Sequence, residues 1–185
     1  MTLPPGAGPV LTGWARTSID DQLAKRSSSA PTHAWLEDEA ASFVTLTADG
    51  RLRGCIGSLR PHRRLVDDVA ANAVAAAVHD PRFPPVKPEE LPGLHVEVSV
   101  LSPLELFEVT SEDDLLAKLR PGVDGLVIAH GKRRATFLPQ VWDQLPQPEL
   151  FLAHLKRKAG FADDWWDEGV RLQRYTVTEF EEALP

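Results

Sequence analysis

The sequence of 185 residues has few of the features that mark disulfide-stabilised, metal-binding or membrane-spanning proteins. Its single cysteine excludes an internal disulfide and any zinc site of the Cys-x-x-Cys type. Its six histidines form no His-x-His or His-x-x-x-His pair, so we predict no metal site. It also contains no glycine-rich phosphate loop and no Gly-x-Ser-x-Gly element, and we predict no bound cofactor.

Targeting and polyanion-binding features are scarce as well. No apolar run approaches the roughly 20 residues of a membrane span, and the start MTLPPGAGPV has neither a basic region nor an apolar core. The 27 acidic residues outnumber the 20 basic ones, giving a formal net charge of -7. We therefore expect a cytoplasmic protein that binds neither membranes nor nucleic acid.

What is present fits one globular domain. The chain is 43% hydrophobic and 25% charged, which is ordinary for a folded domain of this size. Proline and glycine in residues 1–10 predict a loose N-terminal tail before a single domain at 11–185. Periodicity predicts helices, strands and a C-terminal tail; the helices are Leu11–Leu23, Leu65–Val78, Glu112–Leu119 and Glu149–Ala159, the strands after residue 90 are Leu94–Leu101, Leu126–Ala129, Arg133–Leu138 and Val170–Val177, and the tail is Glu179–Pro185.

The most informative stretch is Phe43–Leu59, FVTLTADGRLRGCIGSL, which predicts a β-hairpin around Asp49-Gly50. We favour a three-residue loop, Ala48–Gly50, because it separates apolar from polar side chains. A two-residue loop would mix them on one face. In the favoured register one face carries Val44, Leu46, Leu52 and Ile56, and the other carries Thr45, Thr47, Arg51, Arg53 and Cys55.

Cys55 is the first candidate for chemistry in this hairpin. A cation such as Arg53 near a thiol favours the thiolate, which acts as a nucleophile or redox group. Gly54 and Gly57 bracket the cysteine, and a glycine inside a strand often marks the close approach of a ligand or of another backbone. The alternatives remain open: a buried cysteine that packs as a small hydrophobe, arginines on a solvated face, and glycines at a bulge or a crowded packing site.

The strand Leu94–Leu101 supplies candidate bases. Its apolar residues alternate with His95, Glu97 and Ser99, so pairing with the hairpin would bring these three to the face of Cys55. His95 or Glu97 could then act as a general base. Arg51 and Arg53 could hold an anionic group. The alternative is a sheet face covered by arginine–glutamate pairs with no catalytic role.

Two further polar residues are candidates for ligand binding. Asn72 lies at the edge of the apolar stripe of Leu65–Val78, where a buried amide usually serves a structural hydrogen bond. Arg82 stands in a loop that three prolines stiffen. Such a loop can hold the guanidinium at a site or in a salt bridge to Asp80.

The string LRGCIG at Leu52–Gly57 resembles the signature of the AMMECR domain family, known in bacteria as AmmeMemoRadiSam system protein A. Further similar strings follow in the family's order along the chain: FVTL at 43–46, DPRF at 80–83, VEVSVL at 96–101, LPQV at 138–141 and KAG at 158–160. The resemblance implies an α+β fold with a mainly antiparallel sheet flanked by helices. It also implies a larger and a smaller subdomain around a cleft.

The resemblance implies little about a reaction, because the family's activity is poorly defined. It favours a place for Arg82 in the cleft. We expect an accessory or binding protein that acts with Memo-type and radical-SAM proteins through a cleft around the LRGCIG strand. The alternative is an enzyme that uses Cys55 as nucleophile or redox group, with His95 or Glu97 as base and a small anionic substrate or ligand held by arginines.

Overall fold

The computed structural model describes residues 3–183 of the chain. The helices are α1 (Ala7–Ala24), α2 (Leu65–Val78), α3 (Glu112–Lys118) and α4 (Pro148–Ala159). The strands are β1 (Ser42–Ala48), β2 (Arg51–Gly57), β3 (Leu94–Leu101), β4 (Glu105–Leu106), β5 (Gly125–His130), β6 (Arg133–Phe137), β7 (Arg171–Tyr175) and β8 (Val177–Glu181). Short 3-10 helices span Ala34–Leu36, Pro88–Gly93 and Pro139–Asp143.

Among the described residues, 3–102 and 178–183 form the first of two compact units. Its sheet has the order β2-β1-β3-β8, and β1 pairs antiparallel with both β2 and β3. One face of this sheet packs on α1 and α2 through a core of buried aliphatic side chains. The opposite face carries the polar side chains of β1 and β3.

Residues Pro103–Val177 form the second unit. Its sheet has the order β4-β7-β5-β6, with antiparallel pairs throughout. Helix α4 packs on β5 and β6. Its last turn carries Lys156, Arg157 and Lys158, and Gly160 after the helix has the left-handed conformation. Cations at the negative end of a helix and a glycine just after it are typical of a helix C-terminus.

Two elements form where the sequence pattern predicts them. Helix α2 spans Leu65–Val78 and strand β3 spans Leu94–Leu101, as predicted. Both have strong periodic signals: every second residue of β3 from Leu94 to Val100 is buried, and α2 buries a stripe of valines and alanines. None of the described helices has the length and hydropathy to cross a bilayer.

The predicted register of the first hairpin is wrong. Its loop has two residues, Asp49 and Gly50, both with positive φ (51° and 71°), so Ala48 pairs with Arg51. This combination of φ values is that of a type I′ turn, which matches the twist of the strands. A bulge beside Leu46 and Thr47 then shifts the register, so that Thr45 lies opposite Cys55, where the predicted register had placed Phe43. Leu52, predicted to share the apolar face with Val44 and Leu46, instead lies opposite Thr47 and is 44% exposed.

The predicted ends of the chain also need correction. Residues 177–181, assigned mainly to a tail, form β8, the strand beside β3, and the last predicted strand ends earlier, at Tyr175. Phe180 of β8 packs on the core of the first unit. Helix α1 begins at Ala7, inside the segment 1–10 that we predicted to be loose. Met1, Thr2, Leu184 and Pro185 lie outside the described residues.

Candidate functional site

Strands β1, β2 and β3 bring the predicted thiol and carboxylate to one face of the first sheet. Thr45 lies opposite Cys55 on one side and opposite Glu97 on the other, while Thr47 lies opposite His95. Because paired residues project to the same face, these five side chains share it. We call this surface the polar face. Its members are all half-buried, so each is partly accessible.

Cys55 lies in the strand that forms one edge of the sheet. The residue is half-buried, and its Sγ accepts a hydrogen bond from the Thr45 hydroxyl at 3.3 Å. Its backbone N–H donates to Asp80 at 2.9 Å, and its backbone carbonyl accepts from Arg82 at 3.1 Å. The thiol is therefore presented by a backbone that is fixed on both sides.

The two glycines beside Cys55 are explained by packing within the protein. A Cβ at Gly54 would lie 2.2 Å from the backbone oxygen of Ala76 in α2. A Cβ at Gly57 would lie 2.2 Å from the ring of Phe43, which pairs with it across the hairpin. Both contacts are too short for any side chain, so glycine lets a helix and an aromatic ring approach the strand closely.

The predicted anion-binding arginines have different surroundings. Arg53 donates to both carboxylate oxygens of Glu90, at 3.0 and 3.2 Å, and to the carbonyl of Pro84 at 2.9 Å. Its guanidinium lowers the pKa of Glu90. Arg51 is exposed at the start of β2. Arg53 is therefore committed to an internal ion pair, which leaves Arg51 as the more accessible cation of the two.

Arg82 forms an ion pair with Asp80. Its Nη2 and Nε lie 2.6 and 2.9 Å from the two carboxylate oxygens, and its backbone N–H donates to the same carboxylate at 3.1 Å. The Asp80 side chain is 1% exposed and that of Arg82 is 52% exposed. The hydrogen bond from Arg82 is the main reason that the pKa of Asp80 lies well below its ordinary value.

Asn72 belongs to a buried polar network at the other end of the hairpin. Its Nδ2 donates to the Ser42 carbonyl at 3.0 Å and to Asp68 at 2.9 Å. The fully buried Asp68 carboxylate also accepts from Ser42, Ser58 and Arg63. This arrangement matches the structural role expected for a buried amide.

Glu97 is the acidic centre of the polar face. Burial is the main cause of a raised pKa for this carboxyl, and the neighbouring Glu179 adds to it. The Ser99 hydroxyl donates a hydrogen bond to this carboxylate at 3.2 Å, which acts to lower the pKa. His95 lies 4.0 Å from Glu181. The polar face therefore has a thiol on its β2 side and carboxylates on its β3 and β8 side.

The geometry does not assemble a thiol and base in direct contact. Cys55 and Glu97 flank Thr45 from opposite strands. Two strand spacings of about 4.8 Å separate their backbones by about 10 Å. A general base acts within about 3 Å of the proton that it removes, or through one water. What the face offers is a row of hydrogen-bonding groups suited to recognition.

Sequence reasoning missed the two carboxylates that organise this region. The sequence pattern indicates Asp80 only as a salt-bridge partner of Arg82 and gives no signal for Asp68. Both contact residues 10 to 26 positions away, such as Ser58, Cys55 and Ser42, and no local pattern reports such contacts. The rigid Asp80-Pro81-Arg82 turn was the only available signal.

A separate cavity of about 340 Å³ lies in the second unit. It is lined by residues 106–110 and by Trp166–Asp167–Glu168 with Val170–Arg171–Leu172. None of the predicted site residues lines it. Within residues 3–183, no three or more His, Cys, Asp or Glu side chains are grouped to hold a metal ion.

Comparison with known proteins gives the chain's family. The AMMECR1 family model matches residues 12–180. The chain belongs to the AMMECR1 family. Its α+β architecture agrees with the crystal structure of the uncharacterized protein PH0010 from Pyrococcus horikoshii, with a TM-score of 0.84 and 39% identity over 96% of this chain and 92% of the other.

Archaeal relatives extend the same picture. The protein MJ0810 of Methanocaldococcus jannaschii is 39% identical over 186 residues, covering 96% of this chain and 91% of the relative. A protein of Methanothermobacter thermautotrophicus is 52% identical over 106 residues, which is 55% of either chain. These relatives support the AMMECR1 assignment over nearly the whole chain, and their names state no activity.

Proposed function

We propose that this AMMECR1-family chain is an accessory or binding protein that acts with Memo-type and radical-SAM proteins. The contact surface is a cleft around the Leu52–Gly57 strand, and its accessible wall is the polar face of the first sheet. The choice of partners rests on the bacterial name of the family. The choice of surface rests on the side chains described above.

The observation that carries this proposal is the contrast between accessible and committed groups around Cys55. The thiol residue, Thr45 and Glu97 are half-buried and share one face. The nearby cations Arg53 and Arg82 are held in ion pairs with Glu90 and Asp80. Because each guanidinium is neutralised by a carboxylate of the protein itself, these ion pairs stabilise the surface around Cys55 and leave neither arginine free to bind a substrate anion.

The sign of the exposed charge indicates what a partner should present. Glu97 lies near the carboxylates of Glu179 and Glu181. His95 is the nearby side chain that can carry a positive charge. A partner segment with a basic or hydrogen-bond-donating side chain would relieve the repulsion among these carboxylates. The association constant should then fall as the salt concentration rises, because salt screens the attraction between the partner and these carboxylates.

A charge introduced on the polar face tests the proposal. Thr47→Arg places a long cation at a half-buried position of β1 opposite His95, and Thr17→Arg makes the same change on the half-buried surface of α1. Affinity for a purified Memo-type or radical-SAM protein of the same organism is measured by calorimetry. We expect Thr47→Arg to weaken binding more than tenfold and Thr17→Arg to leave it unchanged. Equal affinities for both variants would refute the surface.

A second candidate function is a thiol enzyme acting on a small anionic substrate, with Cys55 as nucleophile or redox group. The hydrogen bond from the Thr45 hydroxyl to Sγ at 3.3 Å favours it, because this contact holds the sulfur in one orientation on the half-buried face. Arg51 is exposed at the start of the same strand, but it lies opposite Ala48 and therefore projects to the other face of the sheet from Cys55. His95 or Glu97 would have to act through an intervening group.

Native-state labelling separates the two candidates. Iodoacetamide modification of the single cysteine is followed by intact mass for the wild type, Thr45→Val and Thr45→Ser. A thiol enzyme requires fast labelling that drops several-fold in Thr45→Val and returns in Thr45→Ser. A rate that is the same in all three proteins would count against the enzyme.

A further inference from the structure

The outer edge of β2 is closed by side chains where another strand would normally pair. In an antiparallel sheet, alternate residues of an edge strand direct both backbone groups away from their neighbour. Cys55 is such a residue, because its N–H and its carbonyl bond to Asp80 and Arg82 at 2.9 and 3.1 Å. The carboxylate takes the place of a strand carbonyl, and the guanidinium takes the place of a strand N–H.

These two side chains are themselves tightly held. Arg82 bonds Asp80 through Nε, Nη2 and its backbone N–H. Pro81 between them fixes one backbone angle of the turn, and the Phe83 N–H closes it on the Asp80 carbonyl at 3.2 Å. The Asp80–Arg82 pair is therefore held in one conformation and can fix the position of the Cys55 backbone.

The same loop continues along the edge. The Arg53 side chain, two residues before Cys55, donates to the Pro84 carbonyl at 2.9 Å and to Glu90. Glu90 in turn accepts from the Lys87 N–H at 2.8 Å. Residues 80–90 thus cover the edge of β2 from Arg53 to Cys55 through side-chain contacts.

We propose that Asp80 and Arg82 are positioning residues that fix the Cys55 backbone and close this edge to strand addition. A partner then contacts the Cys55 side chain from the polar face and not by pairing with the edge of β2. The positioning role stands on the contacts of this loop alone. The claim that a partner contacts Cys55 from the polar face rests on the proposed function.

Amide hydrogen exchange tests the positioning role without any partner. In the wild type the Cys55 amide should exchange slowly, although β2 is an edge strand. Arg82→Ala should speed that exchange more than tenfold and leave the Val44 and Ile56 amides protected, because those residues pair within the sheet. Arg64→Ala is the matched control, since Arg64 also binds an aspartate, Asp67, at 2.7 Å. It should change nothing at Cys55.

A second variant keeps the test decisive if Arg82→Ala fails to fold. Arg82→Lys retains the charge and lacks the planar fork that reaches both Asp80 and the Cys55 carbonyl. It should also expose the Cys55 amide, and unchanged exchange in this variant would overturn the proposal.

Partner binding then separates the two claims. If Arg82→Lys frees the Cys55 amide and weakens capture of a Memo-type or radical-SAM protein, both claims hold. Freed exchange with unchanged capture supports positioning and rejects the claim that the partner depends on a fixed Cys55 backbone, while Thr47→Arg tests the polar face separately. If the opened edge accepts another strand, Arg82→Lys should self-associate more than the wild type in sedimentation velocity, and equal association of the two proteins would overturn the claim that the pair closes the edge.

Discussion

The two units of the chain fill their interiors in different ways. Among the described residues, the fully buried core of the first unit consists of alanine, valine, leucine and isoleucine. The second unit buries Phe107, Trp142, Phe151 and Phe161. The first unit therefore depends on backbones that approach closely, and the second depends on large rings. The first should be sensitive to added atoms and the second to removed ones.

Removing a ring should give the largest effect. Phe151 is fully buried, stacks on Trp142 at 3.8 Å and meets Phe137 edge-on at 5.3 Å. We expect Phe151→Ala to lower the free energy of unfolding by about 3 to 5 kcal/mol in guanidinium denaturation. Leu150→Ala, at a neighbouring residue that is 44% exposed, is the control and should cost less than about 0.5 kcal/mol. Similar losses for both variants would contradict the comparison.

Adding one carbon atom at a close contact should destabilise the first unit. A Cβ at Gly54 would lie 2.2 Å from a backbone oxygen of α2, so we expect Gly54→Ala to destabilise the protein by about 2 to 3 kcal/mol. Gly13→Ala, inside α1 where a Cβ meets nothing within 4 Å, should instead stabilise it by about 0.5 to 1 kcal/mol. Thermal denaturation of the pair measures the difference. Opposite signs are expected, and equal signs would be evidence against close packing of α2.

Neutralising Asp80 should give a smaller, pH-dependent effect. Its folded-state pKa lies below the ordinary value, chiefly because of Arg82, so its stabilisation is present above about pH 4 and is lost as the pH falls toward the folded-state pKa. Asp80→Asn should cost about 1 to 2 kcal/mol at pH 7, since the buried hydrogen bonds to Arg82 are weakened. Urea denaturation at pH 7 and pH 3 measures it. A cost that does not shrink at pH 3 would contradict this account.

Glu97 should show the opposite sign and the smallest effect. Burial raises its folded-state pKa, so the stability that it contributes is present below about pH 4 and is lost as the pH rises through the folded-state pKa. Glu97→Gln should therefore be slightly more stable than the wild type at pH 7, by less than about 1 kcal/mol. The two proteins should become equal near pH 4. A less stable Gln variant at pH 7 would show that the carboxylate has a stabilising partner.

Sequence reasoning predicted the elements whose signals are local. The alanine-rich stripe of Leu65–Val78 and the alternation of Leu94–Leu101 give their bounds correctly. The face shared by Cys55, Thr45 and Glu97 also follows from alternation, because the bulge in the hairpin restores it. The exposed Leu52 does not follow, since a bulge leaves no mark in the order of apolar and polar residues.

The remaining features depend on distant contacts. Strand β8 pairs beside β3, more than 75 positions earlier in the chain, and only its Phe180 reaches the core. Its glutamates resemble a solvated tail. The close approach of α2 to Gly54 and the carboxylates of Asp68 and Asp80 likewise become visible only when the helix lies on the sheet. The sequence pattern therefore locates the candidate strand but does not show that Arg53 and Arg82 are held in ion pairs with Glu90 and Asp80.

The central claim is that a partner covers the polar face around Cys55. Because Cys55 is the only cysteine, its alkylation reports on this place alone. The direct measurement is the rate of iodoacetamide labelling with and without a saturating Memo-type or radical-SAM protein whose own thiols have been blocked. The account predicts that the bound partner slows labelling more than tenfold. An unchanged rate in a complex shown by calorimetry to be fully formed would contradict it.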